Sequence, residues 1–146
     1  MRLESFIGKA TLAVDSAGRT NFPKEFRKVL SEENEGQVVV TIAGGNTLAL
    51  YPLSEWNRYV QYLDGLGRGA DVNKFRTRVT SMAKLSTLDA QNRIVITAEQ
   101  LAYAGIRGEV TFVGAGNCVR LWSPERFTAE VATTTPDEEV QFSNWY

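Results

Sequence analysis

Two short stretches of this sequence decide its fold. Residues 12–22 have the sequence LAVDSAGRTNF, and residues 86–96 have the sequence STLDAQNRIVI. Each places an aspartate after an apolar residue, then three turn-forming positions, an arginine and a short β-prone run. An aspartate at such a position accepts hydrogen bonds from backbone N–H groups just downstream and so closes a turn. The sequence therefore predicts two copies of one strand–turn–strand unit.

One position in each turn needs an unusual backbone conformation. Gly18 and Asn92 occupy the same place, immediately before Arg19 and Arg93. Glycine and asparagine are the residues that most readily adopt a positive φ. We therefore expect a left-handed residue at this place in both turns. Four residues are then assigned a structural role in the turns: Asp15, Gly18, Asp89 and Asn92.

The similarity of the two halves extends beyond the turns. Each turn precedes a helix-like stretch, a β-rich run that begins after Gly36 or Gly108, a glycine-rich turn and a closing strand. Order, spacing and residue type agree over about forty positions, which indicates a tandem duplication. We assign four segments: a first repeat at 5–53, a helical connector at 54–80, a second repeat at 81–123, and a C-terminal helix with an acidic tail at 124–146. From residue 133 the apolar pattern fails, which indicates a loop or a frayed end.

A single repeat is too small to bury a core by itself. Its β-branched runs at residues 38–42 and 110–113 predict strands that need a partner to cover them. We therefore expect the two repeats to pack together as one mostly β barrel with short flanking helices, arranged about a pseudo-twofold axis.

Composition excludes several classes of function. The chain has 146 residues, no histidine and a single cysteine, Cys118. The lack of histidine removes the commonest general base and the commonest zinc ligand. A lone cysteine cannot form an internal disulfide, and no apolar stretch is long enough for a membrane helix or resembles a signal peptide. We expect a cytoplasmic protein that is not an enzyme and that has no catalytic site, metal, cofactor, small-molecule substrate or membrane partner.

Charge is segregated along the chain. The net charge of −1 argues at first against a nucleic-acid partner. However, residues 1–30 hold six basic and three acidic side chains, whereas residues 31–56 hold four acidic side chains and no basic ones. The segment from residue 129 onward also carries four acidic side chains. The N-terminal segment is therefore the candidate for DNA binding.

The pattern as a whole resembles the MraZ family, whose members carry two tandem SpoVT/AbrB-type domains. The resemblance rests on DSAGR followed by FPKEFR, on LYPLSEW, on DAQNRIVI, and on VGAGN followed by LW, which lie at residues 15–27, 50–56, 89–96 and 113–122. It covers roughly residues 6–130. A single Asp-x-x-x-Arg turn would be a weak signal, but two copies in this context are specific.

The resemblance implies a fold, an assembly and a function. The fold would be the swapped-hairpin barrel of the AbrB/MazE/MraZ group, and the protein would form a ring-shaped homo-oligomer. It would bind direct repeats in double-stranded DNA upstream of the division and cell-wall gene cluster. It would regulate transcription of that cluster, including its own gene, and would be associated with the nucleoid.

A few positions depart from the family's pattern. Ala17 stands where a lysine is frequent, and Thr97 stands where a proline is typical. Gln100 and Leu101 stand where leucine and arginine are expected. The neighbourhood of the turns therefore carries fewer basic groups than the resemblance would imply.

Six basic residues are candidates for DNA contact. Arg19 and Arg93 follow the turns, and arginine can bond guanine or phosphate bidentately. From spacing alone, a structural Asp15–Arg19 pair that closes the turn is the more common outcome. The resemblance favours DNA contact for Arg19 and leaves Arg93 evenly balanced. The other four candidates lie on the first strand and on the helix after the first turn, where phosphate contact and a solvated surface are equally compatible with the sequence: Lys9, Lys24, Arg27 and Lys28.

Two other classes of function stay open. The first is a protein-interaction module of the AbrB/MazE antitoxin type, in which the acidic tail at residues 129–146 docks a partner. The second is an enzyme, which would need a site assembled from Asp, Glu, Lys, Tyr or Cys118, and the sequence shows no such pattern. Deletion of the tail separates the interaction module from a DNA-binding regulator.

Overall fold

The computed structural model describes residues 5–30 and 34–143. Its strands are β1 (Lys9–Ala13), β2 (Arg19–Asn21), β3 (Gln37–Ala43), β4 (Thr47–Pro52), β5 (Lys84–Thr87), β6 (Arg93–Val95), β7 (Glu109–Gly114) and β8 (Val119–Trp122). Its helices are α1 (Lys24–Arg27), α2 (Leu53–Asp64), α3 (Ala70–Ser81), α4 (Ala98–Ala104), α5 (Pro124–Glu130) and α6 (Pro136–Ser143).

The order of these elements repeats. The series β1, β2, α1, β3, β4, α2 is followed, after α3, by β5, β6, α4, β7, β8, α5. Matching backbone contacts accompany the repeat: Val14 donates to the carbonyl of Gly108 at 2.9 Å, and Leu88 donates to the carbonyl of Gly36 at 3.0 Å. Each contact joins one half to the other. The element order therefore agrees with a tandem duplication.

The strands form two antiparallel sheets. The larger has the order β1-β7-β8-β4-β3-β5, and the smaller pairs β2 with β6. The strand before each turn pairs with the hairpin of the other half, because β1 pairs with β7 and β5 pairs with β3. If each strand is replaced by its counterpart in the other half, the same strand order results, read from the opposite edge of the sheet. A pseudo-twofold axis therefore passes between β4 and β8 in the larger sheet and between β2 and β6 in the smaller one.

Both halves contribute to one core. Phe22 follows the first turn, and its ring lies 6.3 Å from the ring of Phe112 on β7 of the second half. Phe26 on α1 adds an edge-to-face contact with Phe6 at 5.7 Å between ring centroids. All four side chains are buried. Aromatic pairs of this geometry add to the hydrophobic stabilisation of the shared core, which accords with the expectation that neither repeat is sufficient alone.

The strands of the described residues form no closed barrel, and the swapped-hairpin barrel stays a prediction. Over residues 5–30 and 34–143, β1 and β5 are the two edges of the larger sheet, and no ladder joins them. Each aspartate turn carries the chain from one of these edges into the separate β2–β6 pair, so the two edges are connected through that pair and not by hydrogen bonds to each other. A mostly β fold with short flanking helices is confirmed.

Two departures from the family pattern act together in the second half. Thr97 Oγ1 accepts a hydrogen bond from the N–H of Gln100, and Gln100 Oε1 accepts one from the N–H of Thr97, each at 3.1 Å, so they form a capping box at the start of α4. Gln100 Nε2 also donates to the carbonyls of Val40 at 2.9 Å and Met82 at 2.8 Å. Gln100 is thus a buried polar bridge at the position where α1 has Phe26.

The C-terminal tail contains a helix that the sequence did not predict. Residues expected to form a loop or a frayed end include the helix α6. Thr135 Oγ1 accepts from the N–H of Glu138 at 3.2 Å, and Glu138 Oε1 accepts from the N–H of Thr135 at 3.1 Å. Thr-Pro-Asp-Glu at residues 135–138 is a capping-box signal with proline at the first helical position. This local signal initiates a helix even though α6 buries no apolar face.

Candidate nucleic-acid interface

The carboxylate of Asp15 organises the first turn. Its Oδ1 accepts hydrogen bonds from the backbone N–H of Ala17 and of Arg19, each at 2.9 Å. Its Oδ2 accepts from Nε of Arg19 at 2.8 Å. The structural Asp15–Arg19 pair considered as the alternative to DNA contact is therefore present, and the turn fixes where the guanidinium lies.

The second turn repeats this geometry. Asp89 Oδ1 accepts from the N–H of Gln91 and of Arg93 at 2.9 Å each, and its Oδ2 accepts from Nε of Arg93 at 2.8 Å. The expected left-handed residue is present in both turns, with φ of +81° at Gly18 and +60° at Asn92. Two sequences with few identical residues thus hold their arginines in the same way.

The turns keep both aspartates ionised. The backbone N–H of Arg19 lowers the pKa of Asp15 from its ordinary value of 3.8. Desolvation raises the pKa, but the Arg19 side chain and the N–H of Ala17 also lower it, so the net change is downward. Asp89 has a lowered pKa for the same reasons, with Arg93 and Gln91 as donors. At neutral pH each arginine therefore has a charged partner that orients it.

The β2–β6 pair places both arginines on one outward face, which we call the arginine ribbon (residues 19–21 and 93–95). Thr20 and Ile94 lie opposite each other and are buried. Since side chains alternate across a strand, the flanking residues point outward. Arg19 pairs with Val95, and Arg93 pairs with Asn21. The two arginines are thus diagonal neighbours, with backbones about 7–8 Å apart.

The guanidinium groups have an unused edge. Their side chains are 48% exposed at Arg19 and 32% exposed at Arg93. Each Nε is bonded to its aspartate, and no residue in the described part of the chain is hydrogen-bonded to an Nη atom of either arginine. Two parallel N–H groups on one planar edge fit the paired acceptors of a phosphate or of guanine O6 and N7. The arrangement can therefore bind such a group without breaking the turn.

The helix after the first turn adds positive charge beside the ribbon. Lys24 and Lys28 are exposed, and Arg27 is half-buried with its Nε donating to the carbonyl of Phe22 at 3.0 Å. The equivalent helix α4 has the sequence AEQLAYA and carries no basic residue. The basic surface around the ribbon is therefore one-sided.

Lys9 lies apart from the other candidates. It is the first residue of β1, and the strand runs about 13 Å from Lys9 to Ala13, which precedes the first turn. Its Nζ stands 5.4 Å from the ring centroid of Phe127 on α5. The fold therefore brings Arg19 and Arg93 together and ties Arg27 to Phe22 just after β2, and it leaves Lys9 at the other end of its strand.

Comparison with protein families agrees with this architecture. The family model described as "MraZ protein, putative antitoxin-like" matches residues 5–74 and 80–140. The match covers both halves. The chain belongs to the MraZ family.

Relatives in this MraZ family are similar over nearly their whole length. A protein of Thermomicrobium roseum is 34% identical over 126 residues, which cover 86% of each chain. A protein of Tolumonas auensis is 33% identical over 136 residues, which cover 92% of this chain and 86% of its own. One from Nitratidesulfovibrio vulgaris is 28% identical over 140 residues, which cover 95% of this chain and 94% of its own. All three are named transcriptional regulator MraZ.

Sequence reasoning missed two residues on the arginine ribbon, Asn21 and Val95. Both point outward beside the arginines, and Val95 is 39% exposed. The alternation of short strands after each turn could have placed them on the face of Arg19 and Arg93. The sequence did not indicate that β2 pairs with β6, and this pairing joins the two strands into one surface.

Cys118 and the acidic residues are the other side chains that could carry chemistry. Cys118 is buried, and that burial raises the pKa of its thiol, so it is protonated at neutral pH and is a poor nucleophile. Residues 5–30 and 34–143 contain no cluster of three or more acidic, cysteine or histidine side chains placed to hold a metal. Within the same residues, no helix combines the length and the apolar character needed to cross a membrane.

Proposed function

We propose that this chain is a DNA-binding transcriptional regulator that contacts duplex DNA through its arginine ribbon. The observation that carries the proposal is the pair of arginines held by matching aspartate turns on one exposed face. The major groove of B-DNA admits a two-stranded β-ribbon. The names of the relatives, each a transcriptional regulator, support the same function.

The aspartates prepare the arginines for binding. A free arginine side chain loses rotamer freedom when it binds, which weakens affinity. Here Asp15 and Asp89 already hold Nε, so less freedom is lost when the Nη edge meets guanine. The diagonal spacing of about 7–8 Å corresponds to about two base-pair steps of 3.4 Å. Each ribbon is therefore suited to two nearby guanines about a local twofold axis.

The helix α1 supplies contacts that carry no sequence information. Lys24, Arg27 and Lys28 lie on α1, which begins soon after β2, and we infer that their charges face the phosphates of a duplex held by Arg19. Such contacts to phosphate fix register and orientation. Lys9 is a weaker candidate because of its distance from the ribbon, and its role in DNA binding stays a prediction.

Assembly and target follow from the family resemblance as further parts of the proposal. We infer a ring-shaped homo-oligomer that presents one ribbon per subunit to direct repeats upstream of the division and cell-wall gene cluster, with nucleoid association as the result. Linked weak sites gain avidity through effective concentration, which offsets the modest positive charge of each subunit. We also assign the exchange of β1 and β5 between halves to the swapped-hairpin arrangement of the AbrB/MazE group.

A salt titration tests the proposal. We would measure binding of the full chain to duplex DNA from upstream of its own gene by fluorescence anisotropy. The affinity should fall steeply with salt, and the combined Lys24→Ala and Lys28→Ala variant should lower the slope of log K against log salt by about two. Lys74→Ala, an exposed lysine on α3, is the matched control and should leave the slope unchanged. Absence of salt-sensitive binding by the wild type would contradict the proposal.

One observation favours a second candidate, a protein-interaction module. Helix α6 has three acidic residues in its first turn, and Val140 and Phe142 are 66% and 76% exposed. The family description also includes the words antitoxin-like. A chain truncated after residue 128 separates the two functions. A regulator keeps its affinity for DNA without the tail, whereas an interaction module never binds DNA and loses its protein partner.

A further inference from the structure

The arginine ribbon is symmetric at its arginines and asymmetric beside them. The pseudo-twofold axis relates Arg19 to Arg93 and relates Asn21 to Val95, because the two turns align position by position. The equivalent outward places beside the arginines thus hold an amide in the first half and an aliphatic side chain in the second. This difference lies on the same face as the proposed DNA contacts.

The register places each of these residues beside the arginine of the other half. Asn21 is opposite Arg93, and Val95 is opposite Arg19. Side chains directly opposite each other in an antiparallel pair have Cβ atoms about 4.5–5.5 Å apart. A group bound by either arginine therefore also meets Asn21 or Val95.

Both side chains are at least partly exposed. Asn21 is exposed, and no hydrogen bond joins its side chain to any residue in the described part of the chain. Val95 exposes 39% of its surface, although its neighbours Ile94 and Ile96 are buried in the core. Both side chains are therefore available to a ligand.

We propose that Asn21 and Val95 determine the DNA sequence preference, with Asn21 recognising adenine and Val95 recognising the methyl group of thymine. An asparagine amide matches the N6 and N7 groups of adenine, and an apolar side chain matches the thymine methyl in the major groove. Each base lies beside the guanine contacted by the neighbouring arginine. This inference rests on the proposed function.

The asymmetry gives each subunit a direction on DNA. A ribbon with identical halves would prefer a palindromic site, because its twofold axis would coincide with that of the duplex. Asn21 and Val95 break that symmetry and favour a site with distinct left and right ends. Sites of this kind can be repeated head to tail, as direct repeats require.

The test compares the sequence preferences of ribbon variants. The full-length wild type, Asn21→Val, Val95→Asn and the double exchange are each used to select from a duplex pool with a randomised centre, and the selected DNA is sequenced. Each single variant makes the two ends of the ribbon alike, so its selected site should become palindromic. The double exchange restores one Asn and one Val, so it should recover the wild-type site read on the opposite strand.

Affinity measurements on the selected wild-type site add a quantitative check. Asn21→Val should weaken binding at the adenine about ten-fold or more, the effect of a lost bidentate contact. Replacing the thymine beside Val95 with deoxyuridine removes one methyl group and should weaken wild-type binding about four-fold. The same replacement should have little effect on Val95→Asn, which has no apolar contact to lose.

The outcomes separate this inference from the function on which it rests. If the wild type selects a site and all four proteins select the same one with equal affinity, the inference is overturned and the proposed function stands. If the wild type selects no sequence and binds no duplex, both fall. Size-exclusion chromatography of each variant confirms that any change in preference occurs in an intact assembly.

Discussion

The carbonyl oxygen of Ile96 lies 2.1 Å from the point that a Cβ atom on Gly18 would occupy. The same two residues are joined by a hydrogen bond of 2.8 Å from the N–H of Ile96 to the carbonyl of Gly18. The first turn of one half is therefore packed directly against the strand end of the other half. This contact closes the end of the arginine ribbon at the site where glycine is required.

We predict that Gly18→Ala destabilises the protein and displaces Arg19. The new methyl group would clash with the Ile96 carbonyl, and alanine would be held at a φ of +81°. Such strain costs about 1–3 kcal/mol of the free energy of unfolding, before the clash is added. Urea denaturation measures the loss. Asn92→Gly at the equivalent place is the control and should change stability by no more than about 1 kcal/mol; equal losses in the two variants would contradict the interpretation.

We predict that Asp15 and Asp89 make the free energy of unfolding depend on pH. Their pKa values are lowered in the folded state, so their contribution is fully present above the ordinary value of 3.8 and is lost as the pH falls through the lowered one. A protein carrying both Asp15→Asn and Asp89→Asn keeps a side-chain oxygen that accepts from the backbone N–H groups of each turn and removes the charges.

Denaturation between about pH 7 and about pH 3 tests this dependence. The wild type should be the more stable protein at neutral pH, and its advantage over the double variant should shrink below the ordinary aspartate pKa. Parallel stability curves across this range would show that the carboxylate charges have no role in the turns.

The turns were the most predictable part of the molecule, and the pairing of elements was the least. Asp15 and Gly18 act within five residues, so local rules place them before the fold is known. The joining of β2 with β6 depends on contacts more than seventy residues apart in sequence, and neither three-residue strand signals its partner. For that reason the arginines were identified from the sequence, whereas their common ribbon and its neighbours Asn21 and Val95 were not.

We predict that Gln100→Leu, which restores the residue expected from the family, destabilises this chain. The amide of Gln100 donates to the buried carbonyls of Val40 and Met82, and leucine would remove both hydrogen bonds. A buried polar group deprived of its partner costs about 1–3 kcal/mol. Thermal unfolding measures the loss, and Gln91→Leu, at an exposed turn position, is the matched control. A gain in stability for Gln100→Leu would mean that the amide bridge is dispensable.

Gln100 also shows why single departures from the family pattern are hard to interpret from the sequence. Thr97 and Gln100 each look like a loss when they are compared singly with the family pattern. In the structure they form one capping box, and the amide of Gln100 also reaches across to β3. A pair of substitutions that compensate each other is visible only when the contact between them is known.

We predict that Thr20→Val stabilises the protein. The hydroxyl of Thr20 is buried beneath the ribbon at the pseudo-twofold axis, and no hydrogen-bond partner for it lies within residues 5–30 and 34–143. Valine has nearly the same shape, and Ile94 already occupies the equivalent place. Removal of an unpartnered hydroxyl should raise the free energy of unfolding by about 1 kcal/mol. A lower melting temperature for this variant would indicate that the hydroxyl has a partner in solution.

The central claim is that Arg19 and Arg93 form one DNA-binding ribbon. The most direct test compares the affinities of the wild type, Arg19→Ala and Arg93→Ala for duplex DNA from upstream of the chain's own gene. Arg58→Ala is the matched control, since Arg58 is an exposed arginine paired with an acidic residue, Glu55, at 3.0 Å on α2. Each ribbon variant should lose roughly ten-fold to a hundred-fold in affinity, with oligomeric size unchanged. Binding by both ribbon variants as tight as that of Arg58→Ala would contradict the account.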